Sequence, residues 1–344
     1  MIQLKANGKI FEGWLTASVT RSLAAVSGAF EIGYTDRWCG QGEKWQLKAG
    51  DRCELTYKGK PIICGYIDSV SSQYGSSERS LSVQGRDKTG DLVDSCNISE
   101  AKEFTGKSLK QLAERLAAPF GITVQSKSAA AQAPLPQISV QHNETVWEAL
   151  DRYVKFQGVL AYPDAKGGLV LANVGSGVVA TLREGENILS CSVEHNESEK
   201  FATYVVVSNT RNADEPHKTA RGEVSDSSVK RPRLKSIISH KAITEAEAKE
   251  RAKWEMAQRV AQSLRVTVEC VDWLNPSSQE IWEINTLVTI KAPACGLEGD
   301  FLIEETRFSC GENGLKTSLK LVLKDAYTQK AERDKQSVGE IGEV

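Results

Sequence analysis

Residues 65–94, GYIDSVSSQYGSSERSLSVQGRDKTGDLVD, decide the fold. Ile67 and Val70 lie in a first apolar run, and in a second run Leu81 and Val83 alternate with Ser80, Ser82 and Gln84, the period of a half-buried strand. The intervening residues 73–77 are polar and carry a glycine, so the two runs read as an antiparallel hairpin. After Val83 the segment QGRDKTGDLVD loses the alternation, and its Gly and Asp residues mark a turn that leaves the sheet.

Upstream, residues 1–57 carry the same signature. Phe30, Ile32 and Tyr34 alternate with Glu31 and Gly33, and Cys53, Leu55 and Tyr57 with Glu54 and Thr56, while KANGK, AVSGA and KGKP supply the reversals. Short antiparallel strands at this spacing predict a small barrel or sandwich over residues 1–97, taken as a barrel. Residues 182–210, whose runs NILSCSVE and KFATYVVVSNT lack a local partner, are expected to return and complete it.

From residue 98 the period becomes helical. Leu109, Leu112, Ala113 and Leu116 share a face behind a Ser108/Gln111 capping box, and Val146, Leu150, Tyr153 and Val154 form a second stripe between Thr145/Glu148 and the stop Gly158. With the strands GITVQ, VLAYP and LVLANV, these make an inserted α/β domain over residues 98–181, in which the Ala-rich SKSAAAQAPLP reads as an exposed, mobile loop.

Residues 211–240 read as a linker. The helix expected over residues 244–263 carries only a thin apolar stripe, Ala248, Ala252, Met256 and Val260, and so is placed on a surface. With the strands LRVTVECV, TLVTIK, DFLIEETRFS and LKTSLKLVL it makes a second barrel over residues 241–326, ahead of a polar, disordered tail at 327–344. Trp45, CELTY, Gly65 before YIDSV, and SLSVQ are matched in spacing by Trp282, LVTIK, Gly299 before DFLIEE, and TSLKLVL, which points to an internal repeat. The expected fold is α+β, mainly β: two similar small antiparallel β-barrels, an inserted α/β domain and one long surface helix.

The 344 residues allow two or three domains, and 43 Lys and Arg against 45 Asp and Glu give a net charge of -2, which argues against an electrostatic grip on nucleic acid. No run approaches the ~18 apolar residues of a membrane helix. The start MIQLKANGKIFEGW has no basic region followed by an apolar core, so neither an integral membrane segment nor a secretion signal is expected. Eight cysteines without a CxxC pair read as small buried residues in a reducing compartment.

Catalytic motifs fail on their own requirements. Asp87-Lys88-Thr89-Gly90 resembles the phosphorylated loop of cation-pumping ATPases, but Asp91 stands where that loop needs Thr, and no P-loop spacing or GxSxG elbow occurs. Cys191 and His195 are the only close pair of metal-ligand type, well short of a zinc set, and His142, His217 and His240 sit in loops or at element edges. Glu304 and Glu305, adjacent on a strand, are expected to face opposite sides and so cannot share a substrate; Asp91 and Asp94 are a chance pair. No catalytic, cofactor or metal residues are assigned. Trp45, Trp147 and Trp282 lie beside apolar runs and read as packing, whereas Trp38, in the polar YTDRWCGQGEKW, reads as an exposed partner contact.

The segments KANGKIFEGWLTASVTRSLAAVSGAFEIG, GYIDS with VQGRDKTGDLVD, HNETVWEALDRYVKFQGVL and IWEINTLVTIK, in this order, resemble the baseplate hub (43 kDa tail) proteins of Mu-like phages and prophages. More distantly the layout resembles the hub protein of T-even phages and the amino-terminal region of the spike protein VgrG. The resemblance implies a non-enzymatic component of a contractile tail, made in the host cytoplasm and carried in the virion baseplate. It implies a homotrimer whose two similar barrels per chain form a pseudo-sixfold ring between tail tube and spike, around a channel that DNA crosses without specific binding. A trimer presents six similar faces only if each chain carries two. Candidate subunit or partner contacts are Trp38, Asp68, Arg86, Asp87 and Lys88. A tail-associated cell-wall hydrolase and a glycan-binding module are the rival readings.

Overall fold

The computed structural model describes residues 1–35, 47–74, 79–96, 103–135, 138–141, 143–209, 219–239 and 244–327. Trp38, Trp45, His142, His217, His240 and the expected tail beyond Tyr327 lie outside these.

The amino-terminal block contains β1 (Ile2–Ala6), β2 (Lys9–Phe11), β3 (Thr16–Ser22), β4 (Ala29–Thr35), β5 (Arg52–Tyr57), β6 (Lys60–Tyr74) and β7 (Arg79–Asp87). Asn7-Gly8 and Lys58-Gly59, all at positive φ, close the hairpins β1–β2 and β5–β6, as two-residue primed turns require. The hairpin expected at residues 65–94 is present as β6 and β7, paired from Gly65 opposite Asp87 to Tyr74 opposite Arg79. A bulge between Ile67 and Ser69 leaves Asp68 outside the ladder.

Next come α1 (Gly90–Asp94), β8 (Glu103–Phe104), α2 (Leu109–Ala117), β9 (Val124–Ser126), β10 (Ile138–Ser139), α3 (Val146–Gln157), β11 (Leu160–Pro163) and β12 (Leu169–Ala172). Both expected capping boxes form, and Gly158 ends α3 in the left-handed region. The apolar faces of α2 and α3 meet Leu169 and Leu171 of β12 in a separate core. The Ala-rich stretch departs from its expected exposure: Ala131 is fully buried in that core, and Ser128 donates to Asn173 Oδ1 at 2.7 Å. Alanines are small enough to let a short helical turn pack where longer side chains would hold it off.

The rest of the chain forms β13 (Val178–Arg183), β14 (Ser190–His195), β15 (Thr203–Asn209), β16 (Thr219–Ser225), β17 (Leu234–Ser239), α4 (Glu245–Gln262), β18 (Leu264–Val271), β19 (Leu287–Ala292), β20 (Leu297–Gly311) and β21 (Gly314–Val322). Two expectations are corrected here. The strands after Gly177 do not return to the first block: β13 pairs with β19 and β14 with β18. The stretch read as a linker supplies β16 and β17, which flank β15 in a three-stranded sheet. Helix α4 lies on that sheet, its Ala248 and Ala252 fully buried against Tyr204 and Val206. Its stripe is thin because the approach is close: a Cβ on Gly222 of β16 would stand 2.1 Å from Lys249 N.

Nor, among the described residues, do two barrels close. A single 13-stranded sheet runs β14-β18-β21-β20-β3-β4-β7-β6-β5-β1-β2, with β13 and β19 attached to β20. The physical reason is that β20, which could have curled back on its own block, hydrogen-bonds to β3 of the other from Glu305 to Cys310.

The internal repeat is present in the strand pairings. In β20 the bulge between Ile303 and Glu305 leaves out Glu304, as that in β6 leaves out Asp68, 236 residues earlier. At this offset Val70 faces Val83 as Thr306 faces Leu319, and Ile32 faces Val83 as Val268 faces Leu319. Ile67 N donates to Asp51 O and Ile303 N to Thr286 O, which sets β5 on β19. The spacing Gly65 to Gly299 was two residues short, because Gly65 corresponds to Phe301. Gly65 is required for contact, since a Cβ would stand 2.0 Å from Arg86 O; Gly299 is required for its φ of +145°.

Candidate functional site

The exit of β7 ties the chain's parts together. Gly85 admits no side chain, because a Cβ would fall 2.2 Å from Tyr66 O and 2.6 Å from the Phe30 ring. Arg86, half-buried, donates through Nε to Asp68 at 2.7 Å and through Nη2 to Asp94 at 2.6 Å. These two carboxylates hold the guanidinium above its ordinary pKa, and Arg86 in turn holds Asp94 below its own.

Asp87 points inward. It is 3% exposed and accepts from Gly28 N at 2.6 Å, Thr89 N at 3.0 Å and Ser27 Oγ at 3.2 Å, with Thr89 Oγ1 also in contact. Thr89 Oγ1 meets Val26 O at 2.6 Å, so the β3–β4 connection is clamped to the exit turn. Burial pushes the Asp87 carboxyl up to about 6, against these hydrogen bonds, which favour the ionised form. Lys88 N donates to Cys64 O at 3.2 Å, and the Lys88 stem is the neighbour a Cβ on Gly167 would meet at 3.1 Å. Of the candidate contacts, therefore, Asp68 and Arg86 lie at the surface in one ion-pair network, Asp87 is an internal clamp, and Lys88 covers a turn of the inserted domain.

A second junction was not singled out from the sequence. Arg21, 1% exposed, donates through Nη2 to Pro163 O at 3.3 Å and to Glu283 Oε2 at 2.8 Å, and through Nη1 to Glu283 Oε1 at 3.3 Å. One side chain thus joins β3, the end of β11 and the approach to β19. Burial opposes its charge, but Glu283, Asp87 and Asp164 outweigh that and keep its pKa above the ordinary value. The signal was available: in ASVTRSL the alternation Ala17, Val19, Arg21 places a cation on the buried face. Asn285 acts similarly, donating to Asn173 O at 2.9 Å and Tyr162 Oη at 3.3 Å while Gly175 N donates to its Oδ1 at 2.8 Å.

The sheet's face opposite the core carries two matching clefts, each of about 370 Å³. Ser18, Ala29, Phe30, Glu31, Asp68 and Gln84 line the first, and Ser192, Arg265, Val266, Thr267, Glu304 and Lys320 stand in the corresponding places of the second. Glu304 and Glu305 both line the second cleft, contrary to the parity expected of adjacent strand residues, because the bulge turns one of them. Each is occupied: Tyr327 Oη donates to Glu304 at 2.6 Å, and Lys320 pairs with Glu305 at 2.8 Å. No group of three His, Cys, Asp or Glu that could hold a metal exists among the described residues, and no helix there is long and apolar enough to cross a membrane. The described cysteines are all free; Cys53 and Cys270 are buried and pushed up to about 12 by it, whereas Cys96, contrary to expectation, is exposed.

Comparison with known proteins gives this architecture its class. Residues 1–87 match the N-terminal domain of Mu phage baseplate assembly protein GpP-like proteins, residues 89–173 the second domain of baseplate hub protein gp44-like proteins, and residues 244–330 the fourth domain of Mu phage baseplate assembly protein GpP. The chain is 32% identical to the baseplate hub protein gp44 of Escherichia phage Mu, over 98% of this chain and 91% of that one. The crystal structure of the 43 kDa tail protein of prophage MuSo2 from Shewanella oneidensis superposes with a TM-score of 0.84 at 31% identity, covering 94% of this chain and 98% of that one. The fold alone is shared with E. coli c3393, a type VI secretion component described as similar to T4 tail proteins gp27 and gp5, at 10% identity and a TM-score of 0.56 over 93% of this chain and 76% of that one. These define a class of structural phage-tail proteins. The chain belongs to the Mu-like baseplate hub family, and its role is that of a structural, non-enzymatic component of the tail.

Proposed function

We propose that three copies of the chain form a pseudo-sixfold ring in the baseplate that joins tail tube to spike and surrounds the DNA channel, assembled in the host cytoplasm. The observation that carries this reading is the paired repeat: β4 to β7 and β18 to β21 have matching partners, matching bulges and matching clefts. Two like units per chain in a threefold assembly present six like faces. The cleft-bearing face suits a channel through which DNA passes without being held, because its charges are internally balanced. Lys320 is paired with Glu305 at 2.8 Å and Lys316 with Glu269 at 3.8 Å, which leaves little net attraction for phosphate.

Light scattering on the purified chain tests the stoichiometry. The expected mass is about three times the 37.6 kDa of the monomer, with six similar lobes in end-on electron-microscope images. A monomer at every protein and salt concentration would overturn the ring.

A further inference from the structure

The second repeat has a seam that its backbone ladders leave open and that two thiols span. Its strands run β13-β19-β20-β21-β18-β14, and among the described residues no ladder joins β14 back to β13 or β19. The tip of the β19–β20 hairpin, the short 3₁₀ turn Pro293–Cys295, reaches across that gap. Ala294 N donates to Glu184 Oε2 at 2.9 Å, just ahead of β14, and Cys295 Sγ donates to Cys191 O at 3.7 Å. The two thiols also share a hydrogen bond with each other. Both are partly exposed and packed against the edge of the main core.

This placement is particular to the pair. Cys53 and Cys64 also lie on adjacent strands, but Cys64 stands opposite Glu54, so it projects from the other face of the sheet than Cys53 does. The first repeat has no counterpart to the pair either. Ala17 faces Ile32 as Cys191 faces Val268, which puts an alanine where the second repeat has its cysteine.

We propose that Cys191 and Cys295 form a thiol–disulfide exchange site, which a small-molecule disulfide such as oxidised glutathione closes into an intrachain bond that fastens β14 to the β19–β20 hairpin. The inference goes beyond the ring and does not depend on it. In a reducing compartment the pair stays as thiols, and it closes when the chain meets an oxidising one. Cys191 is the poorer first nucleophile, because burial and its hydrogen bond to Cys295 push its thiol up to about 11. Cys295 Sγ therefore attacks one sulfur of the small disulfide RSSR. The S–S bond breaks, RS⁻ leaves and takes up the proton of the Cys295 thiol, and Cys295 carries SR. The hydrogen bond and the charge of Cys295 that held Cys191 protonated are then gone. Cys191 Sγ attacks Cys295 Sγ, the protein disulfide forms, and the second RS⁻ leaves with the proton of Cys191. The protein gives up two electrons and RSSR is reduced to two RSH. The bond closes a loop that contains β15 to β19 and α4, and it holds the one free edge strand of the second repeat where no ladder does.

Peptide mapping tests the site directly. Trypsin leaves Cys191 as the one cysteine of residues 184–200 and Cys295 as the one cysteine of residues 292–307. The full-length chain is incubated with oxidised glutathione, its remaining thiols are alkylated, and it is run on a denaturing, non-reducing gel. In the monomer band, mass spectrometry should find these two peptides linked, and dithiothreitol should separate them. Cys191→Ser should instead trap glutathione on Cys295, and Cys295→Ser should leave Cys191 free. Oxidation should slow amide exchange in β14 of the wild type and leave it unchanged in both variants. Separate glutathione adducts on the two cysteines, two free thiols after exposed Cys96 has reacted, or a link found only between chains overturns the exchange site. A link that leaves the exchange of β14 as it was overturns the fastening of the seam.

Discussion

Replacing Glu283 with Ala should destabilise the protein more than replacing the arginine it binds. Arg21 is 1% exposed and Glu283 48% exposed at the side chain, so the two partners are not equivalent. Glu283→Ala leaves a buried guanidinium with Pro163 O as its remaining acceptor and with Nε already lacking an acceptor among the described residues. Removing one partner of a buried pair costs about 3–5 kcal/mol; Asp87 and Asp164 still favour the charge, which brings the expected loss to about 2–4 kcal/mol. Arg21→Met removes the charge together with its desolvation, keeps most of the volume, and leaves a carboxylate that water can reach. Its cost is the three hydrogen bonds of the guanidinium, offset in part, for a net loss of about 1–2 kcal/mol. The double variant should recover to within about 1 kcal/mol of Arg21→Met alone. Urea unfolding followed by tryptophan fluorescence measures all three, with midpoints compared on one transition because a multidomain chain need not unfold in two states. If Arg21→Met proves costlier than Glu283→Ala, or the double variant adds both losses, desolvation of the buried cation is not what governs this junction.

Asp87 titrates in the opposite sense to a surface carboxylate. Its pKa of about 6 in the folded chain, against about 3.9 unfolded, means that the fold binds the proton more tightly. The stabilisation this supplies is complete below about pH 4 and lost as pH rises through 6. Relative to the non-titrating Asp87→Asn variant, the wild type should lose up to about 3 kcal/mol between pH 4 and pH 7; a difference in stability that stays constant over that range would refute it. Gly222→Ala sets a Cβ 2.1 Å from Lys249 N, a backbone atom with no rotamer to yield. It should loosen α4 by about 1–3 kcal/mol, seen as faster amide exchange in α4 with α2 and α3 unchanged, and unaltered exchange in α4 would show that the close approach is not what seats the helix.

Legibility followed the range of the interaction. The β6–β7 hairpin, the stripes of α2 and α3 and their capping boxes were readable because each is fixed by residues within a turn or a hairpin of one another. The partners of β13 and β14 were not, since nothing in NILSCSVE distinguishes the edge of β18, whose nearest residue in sequence lies beyond an intervening sheet and helix, from the edge of any strand in the first block. β16 and β17 were hidden for another reason: Arg221 and Glu223 on the face of β16 away from α4, and Lys235 beside Ile237 on the covered face of β17, give these strands the polarity of a loop. The surface network was legible in part. GRDKTGD drew notice as a dense polar turn, but the inward direction of Asp87 depends on Gly28 and Ser27, some sixty residues away.

The bulges at Asp68 and Glu304 explain both a failure of sequence parity and the architecture itself. Alternation holds only while each residue has one partner, and an extra residue shifts every side chain beyond it by one position. That shift brings Glu304 and Glu305 to one cleft. It also divides a 15-residue strand into two segments with different tasks. Before the bulge, β6 and β20 pair with the short strands β5 and β19 of their own unit. Beyond it, β20 keeps β21 of its own unit on one edge and accepts β3 from the other repeat on the other. A straight ladder would have let β5 and β19 extend along the same edge and cover it; the added twist at a bulge turns the distal segment away from them. The duplicated bulge, rather than any single side chain, therefore makes one edge of each repeat available to a neighbour. Removing it by deleting Asp68 should shift the register of residues 69–74 and abolish assembly before it abolishes the fold.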